Sequence, residues 1–322
     1  MKSFAAAAVI AAAIAVAAPS NAQVVGLGTN PQGTLYYSMG VAVAKVVTEK
    51  SGIQMRVQPI GGTSQLMPQI ERGEIEFGIF SAIDMTDGYE GKGSYPGKPV
   101  QGLRAVAVLG PLYFTFFVKN DNPAKTVAET KGQKLPTEFP AGLVVYRAIK
   151  GLIAAEGYTI NDYIPQPVAN LAQAATAFKE GRVDLGALPV GAGTNRELDA
   201  ETRGGIRHVP VTNTPAALAR MQKEVEVAYF STISPSPAYV GIRAPTTVMT
   251  FDIYLATYKD AKPELVEKIA AVLRDNKADL VAAFAGFRSF DPNQMAKDFP
   301  VPYHPAAIAY YTGKGSWPPK KM

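Results

Sequence analysis

Hydroxyl side chains and bare backbone, rather than acids, bases or thiols, are the groups in this chain whose spacing suits chemistry. Thr29, Thr34 and Ser38 gather round the turn Gly28-Thr29-Asn30-Pro31-Gln32-Gly33-Thr34, with Leu35, Tyr36 and Tyr37 just beyond it. The turn joins an apolar β-rich run to a helical one. Such a junction points several backbone N–H groups at one spot and makes an anion-binding mouth. It comes close to two nucleotide motifs and fails both. A phosphate loop needs Lys after its last Gly, where Thr34 stands, and a dinucleotide fingerprint needs a third small residue where Pro31 follows Gly26 and Gly28. The anion geometry is kept, the nucleotide chemistry is missing, and no cofactor is implied.

A second mouth of the same kind lies at Gly61-Gly62-Thr63-Ser64, where glycines let the backbone approach a ligand and Thr63 or Ser64 serves as cap or donor. A single turn like this is as often an ordinary helix cap. Two at the carboxyl ends of neighbouring strands are better evidence, because open α/β sheets bind ligands along that edge. Further mouths are Phe139-Pro140-Ala141-Gly142-Leu143, ahead of a helix carrying Tyr146 and Arg147, and Pro189-Val190-Gly191-Ala192-Gly193-Thr194-Asn195. Arg147 either reaches a ligand carboxylate or lies on a solvated face. Tyr36 and Tyr37 either face a ligand or pack their helix onto the sheet.

Catalytic groups are sparse. The two histidines, His208 and His304, read as packed structural residues. There is no G-x-S-x-G elbow, no H-E-x-x-H and no acidic cluster with metal spacing, so no metal site is expected. Carboxylates assembled from distant positions, as in glycosidases, would make an exported hydrolase, the alternative from a different functional class.

The elements that must position these mouths alternate as in an α/β protein. Strands are expected at Val24–Thr29, Met55–Ile60, Phe77–Ser81, Leu103–Leu109, Tyr113–Val118, Val183–Val190, His208–Val211 and Val248–Thr257. Helices are expected at Leu35–Lys50, Gly142–Glu156, Leu171–Glu180, Pro215–Lys223 and Pro263–Phe284, three of them closed by Gly52, Gly157 and Gly181. One turn occurs twice: Arg72-Gly73-Glu74-Ile75-Glu76-Phe77-Gly78 and Glu180-Gly181-Arg182-Val183-Asp184-Leu185-Gly186 each leave a helix through Gly and enter a strand through an acid. Such duplication suits two lobes built on one plan. The chain is expected to cross between them at Gly110-Pro111-Leu112 and to return within Tyr239–Met249. That gives lobe one as residues 23–110 and 241–322, and lobe two as residues 111–240.

Lys2, the small or apolar run Phe4–Ala18 and then Pro19-Ser20-Asn21-Ala22 read as a signal peptide cut after Ala22, so the mature chain is expected in the periplasm. The run is short of the roughly 20 residues that span a bilayer. With no Cys anywhere, disulfides, thiolate ligands, cysteine nucleophiles and a lipid-modified cysteine are all excluded. A net charge of +5, falling to +4 once Lys2 is removed, with scattered Lys and Arg, gives no nucleic-acid footprint.

The segments GLGTNPQGTLYYSMGVAVAKVV, QPIGGTSQLMPQIERGEIEFGIFSAID, GRVDLGALPVGAG and VPYHPAAIAYYTGKG together resemble the TAXI-type solute receptors of TRAP transporters. The resemblance runs over nearly all of the mature chain. It implies a type II-like periplasmic binding protein, monomeric, whose two α/β lobes close without chemistry on a small organic acid or amino acid, and whose partner is the membrane part of a TRAP transporter. It also implies a ligand acid group against the first two mouths, here Thr29, Thr34, Leu35, Tyr36, Gly62, Thr63 and Ser64, with Ser81 beside them, and an opposite wall from Ala141, Gly142, Leu143 and Gly191. Receptors serving an ABC importer or a sensor kinase share this fold and stay open as alternatives. Family members often carry a Gly-Ser-Gly-Thr-like turn where this chain has Phe139-Pro140-Ala141-Gly142. Lost hydroxyls and an added Phe139 imply a ligand whose distal end is less polar than a second acid.

Overall fold

A computed structural model describes residues 24–140 and 142–319. The signal peptide and its cut after Ala22, like Ala141, lie outside the described residues. The first unit runs β1 (Val24–Thr29), α1 (Leu35–Ser51), β2 (Gln54–Pro59), α2 (Thr63–Glu71), β3 (Phe77–Ser81) and α3 (Ala82–Glu90). β1 pairs in parallel with β2 on one side and with β3 on the other. The chain therefore leaves β1 through α1 to one neighbour and arrives at the other through α2. This is a topological switch point, and the carboxyl ends of all three strands open on it.

Local chemistry explains the helix that matters most here. Thr34 stands in extended conformation before α1 and accepts the Tyr37 N–H at 3.2 Å, while Gly52 closes the helix at φ 73°. On the opposite face of the sheet α2 sits very close to β1. A Cβ at Gly28 would meet Leu66 Cδ1 at 2.1 Å, so only glycine admits that packing.

Two long strands follow. β4 (Leu103–Phe114) precedes β5 (Phe117–Lys119), β6 (Lys134–Glu138), α4 (Leu143–Ala155), β7 (Ile164–Val168), α5 (Leu171–Lys179), α6 (Gly193–Glu201), β8 (Ile206–His208), α7 (Pro215–Glu224) and β9 (Tyr229–Ile233). β10 (Thr246–Tyr258) returns antiparallel between β3 and β4, giving the order β2-β1-β3-β10-β4 with β9 also on β10. α8 (Pro263–Asp275), α9 (Lys277–Ala283) and α10 (Pro305–Gly313) finish the chain, α1 packing against α8 and α9. Among the described residues no helix is long and apolar enough to cross a membrane.

At Gly110-Pro111-Leu112 β4 runs on as one strand, and a bulge between Ile253 and Tyr254 of β10 lets the long pair bend there. Three expectations are corrected. The strand expected over Tyr113–Val118 is split between β4 and β5 at Thr115-Phe116. The long helix expected over Pro263–Phe284 breaks at Asn276, whose side chain turns back onto the Val272 carbonyl at 2.8 Å. Val183–Val190 makes no regular ladder; it touches its neighbours through the single bridges Phe117↔Gly186 and Phe114↔Pro189, with Pro189 unable to donate to a ladder.

That irregular stretch still occupies a strand's place. Asp184 and Leu185 donate to the Lys134 carbonyl of β6, Gly186 exchanges bonds with Phe117 of β5, and β6 pairs in parallel with β7. The second unit thus runs β7, β6, 183–190, β5, repeating β2, β1, β3, β10. The duplicated acid does the same work in each. Glu76 accepts the Gly26 N–H at 2.7 Å and Asp184 accepts the Lys134 N–H at 2.9 Å, each 50 residues back.

Candidate ligand-binding site

Five helices start at one place. The N-terminal turns of α1 and α2, at the carboxyl ends of β1 and β2, face those of α4, α5 and α6 across a cavity of about 130 Å³. Each first turn carries N–H groups with no partner inside its helix and the positive end of a helix dipole. Thr34 and Asn170 hold two of these turns in place by accepting the N–H groups of Tyr37 and Gln173. The floor is apolar, from Leu112 and Phe114 of β4 and Phe251 of β10, and α4 adds Val144, Val145 and Ala148. Among the described residues no Lys or Arg lines it.

Of the residues anticipated from sequence, Thr34, Leu35, Tyr36, Gly62, Thr63 and Gly142 line this cavity. The others sit elsewhere. Thr29 is buried and donates to the Asn30 carbonyl. Ser64 lies in the first turn of α2 but off the wall, and Leu143 is 37 % exposed away from it. Gly191, at φ 85°, lines a neighbouring cavity with Tyr113 and Tyr239. Ser81 caps α3 and is spent on Asp84. Phe139 does not supply the apolar wall. It is fully buried away from the cavity, and it and Glu138 take positive φ values of 47° and 73°, a costly turn for side-chain-bearing residues that sets Gly142 at the cavity edge.

Arg147 does not reach the cavity. Its guanidinium pairs with Asp87 of α3, holds Glu226 at 3.0 Å and donates to the Glu224 carbonyl at 2.8 Å. His208 is buried edge-on to Phe117, and burial pushes it down to about 4, so it is neutral. His304 caps α10 by accepting the Ala306 N–H at 3.2 Å.

The charged residue missed in the sequence is Asp84. It lines the cavity at 2 % exposure, and its carboxylate accepts from the Thr63 hydroxyl, the Ser81 hydroxyl at 2.6 Å and the Ser81 N–H at 3.2 Å. The signal was present as Ser81-Ala82-Ile83-Asp84, a capping box just after a buried strand. Burial pushes Asp84 up to about 6 against the hydrogen bonds from Ser81 and Thr63, with the nearby Asp87 charge adding to the rise. Burial likewise raises the Tyr36 phenol well above its usual range, the Asp84 charge adds to that, and a bond with Ser81 opposes it.

The Asp84 shift fixes a sign. A folded value above the ordinary 3.8 means that its contribution to stability is fully present below the unfolded value and is lost as pH rises through about 6. Roughly two units correspond to about 3 kcal/mol. Urea unfolding of Asp84→Asn is therefore expected to gain on the parent by up to that amount between pH 4 and pH 7.5. A difference that does not change with pH would refute this account.

A cleft ringed by helix N-termini from two repeated α/β units is the geometry of a two-lobed periplasmic binding protein. Solved structures agree on the fold. MatC from Rhodopseudomonas palustris, determined with bound malate, is 13 % identical with a TM-score of 0.59 over 86 % of this chain and 93 % of that one. A structure described as a periplasmic transporter gives 15 % and 0.57 over 83 % and 88 %. AbpA, an amino acid ABC transporter substrate-binding protein from Streptococcus pneumoniae bound to L-arginine, gives 11 % and 0.51 over 83 % and 95 %. Residues 27–315 match the NMT1-like family, and the chain belongs to it.

Proposed function

We propose that this protein is a periplasmic solute receptor that captures a small organic anion, a carboxylate or an amino acid, between two lobes and delivers it to a membrane transporter without chemical change. The observation that carries this reading is the meeting of five helix N-termini round a small, largely apolar cavity. One lobe comprises residues 23–110 and 241–322, the other residues 111–240, and the bulged β4–β10 pair is the hinge about which they close. The segments that resemble TAXI-type receptors favour a TRAP-type secondary transporter as the partner.

A panel of organic acids and amino acids in a thermal-shift assay tests the reading. A ligand at 100 times its dissociation constant adds about 2.7 kcal/mol, a rise of several degrees for a chain of this size. One or a few related compounds are expected to stabilise the protein and to be recovered unchanged. Stabilisation by no carboxylate or amino acid, or turnover of the one that binds, would overturn it.

A further inference from the structure

We propose that Asp84 holds the ammonium group of a zwitterionic, apolar-tailed amino acid whose carboxylate rests on the N-terminal turns of α1 and α2. This deepens the receptor reading above and rests on it.

The argument is one of charge and shape. Asp84 is the one formally charged side chain among the lining residues. Its partners are two hydroxyls and one N–H, and no Lys or Arg pairs with it. The guanidinium of Arg147 is engaged with Asp87, Glu226 and the Glu224 carbonyl. A carboxylate this buried calls for a cation, and none of the described residues supplies one, so the complement comes from the ligand.

The other polar feature has the opposite sign. The helix N-termini attract a carboxylate, among them the start of α2, where Gly62 and Thr63 line the cavity. A plain anion would meet these groups but would share a small cavity with Asp84 and be repelled by it. A plain amine would satisfy Asp84 and leave the dipoles unanswered. Only a ligand with both charges a bond or two apart answers both, and an α-amino acid has that spacing. The remaining wall, Leu112, Phe114, Val144, Val145, Ala148 and Phe251, offers nothing to a polar tail. The whole cavity, about 130 Å³, is close to the roughly 150 Å³ that accommodates a benzene ring, so beside the charged head it admits only a short aliphatic tail.

The test compares L-leucine with 4-methyl-2-oxopentanoate, which keeps the carboxylate and tail and replaces the ammonium by a carbonyl. Calorimetry on the purified wild-type protein at pH 8 is expected to show leucine binding at least 30-fold more tightly, the scale of one charge-assisted bond. Asp84→Asn is expected to cut that preference at least tenfold. The wild-type comparison stands even where the variant folds poorly. An oxo acid that binds as tightly as leucine, or a preference unchanged in Asp84→Asn, overturns this inference and leaves the receptor reading intact. If neither compound binds and the wider panel of acids and amino acids is also silent, the receptor reading falls and the inference with it.

Discussion

Arg147→Met is expected to cost about 3–5 kcal/mol of folding stability at neutral pH, the price of stranding a buried carboxylate. Asp87 is 3 % exposed on its side chain, and Arg147 is the cation paired with it. Burial is already the larger influence and raises the Asp87 carboxyl despite Arg147, so removing the guanidinium raises it further. The sign follows. A folded value above the unfolded one penalises the ionised form, and that penalty vanishes below the unfolded value. The deficit of Arg147→Met in urea unfolding should therefore be largest at pH 7.5 and shrink toward pH 4. Glu226 is half exposed and contributes little. The double variant Arg147→Met with Asp87→Leu should recover most of the loss, because it removes the stranded charge as well. A loss under 1 kcal/mol at both pH values would show that the pair is not structural. In the lobe assignment proposed here, Asp87 on α3 and Arg147 on α4 face each other across the cleft, so the same variant should bind ligand more weakly through easier opening.

Much of this was legible in the residues because the first unit follows local rules. β1, α1 and β3 fall within a residue of their expected bounds, since each is set by a cap, a glycine or a turn that acts over four or five positions. The duplicated acidic turn was also legible, although its purpose was not: Glu76 and Asp184 each reach a backbone N–H 50 residues away, and no short window shows that. Where the reading failed, a tertiary partner decided. Asn276 breaks a helix of unbroken amphipathic pattern because a side-chain bond competes with the next turn.

The cavity divides along the same line. Thr34, Gly62 and Thr63 were found because a strand-to-helix junction announces itself in glycine and hydroxyl residues. Phe139 reads as apolar ligand surface because it stands where the resemblance implies a small polar turn, yet the positive φ of Glu138 and Phe139 leaves its ring in the core. The wall comes instead from Val144, Val145 and Ala148 one turn further on and from β4 and β10 beneath, residues that look like any other buried aliphatics. Asp84 carries no such announcement: it is the N3 partner of the Ser81 cap, and that reciprocal bonding holds its carboxyl where it lines the cavity.

Ala148→Phe separates this cavity from every other surface of the protein as the ligand site. Ala148 is fully buried on α4 and lines the cavity with Val144 and Val145. A phenyl ring in place of one hydrogen of its methyl group occupies a space about the size of the cavity itself. Filling a pre-existing void costs little and commonly stabilises, so the apo protein should unfold at the same temperature or a few degrees higher. The bound solute has nowhere to go: affinity for whichever acid or amino acid stabilises the wild type should fall by more than 100-fold by calorimetry. Val145→Phe, one turn earlier on the same wall, repeats the experiment if the first ring overpacks. Wild-type affinity in either variant, with the fold intact, would mean that the five helix ends meet round a space the solute does not use.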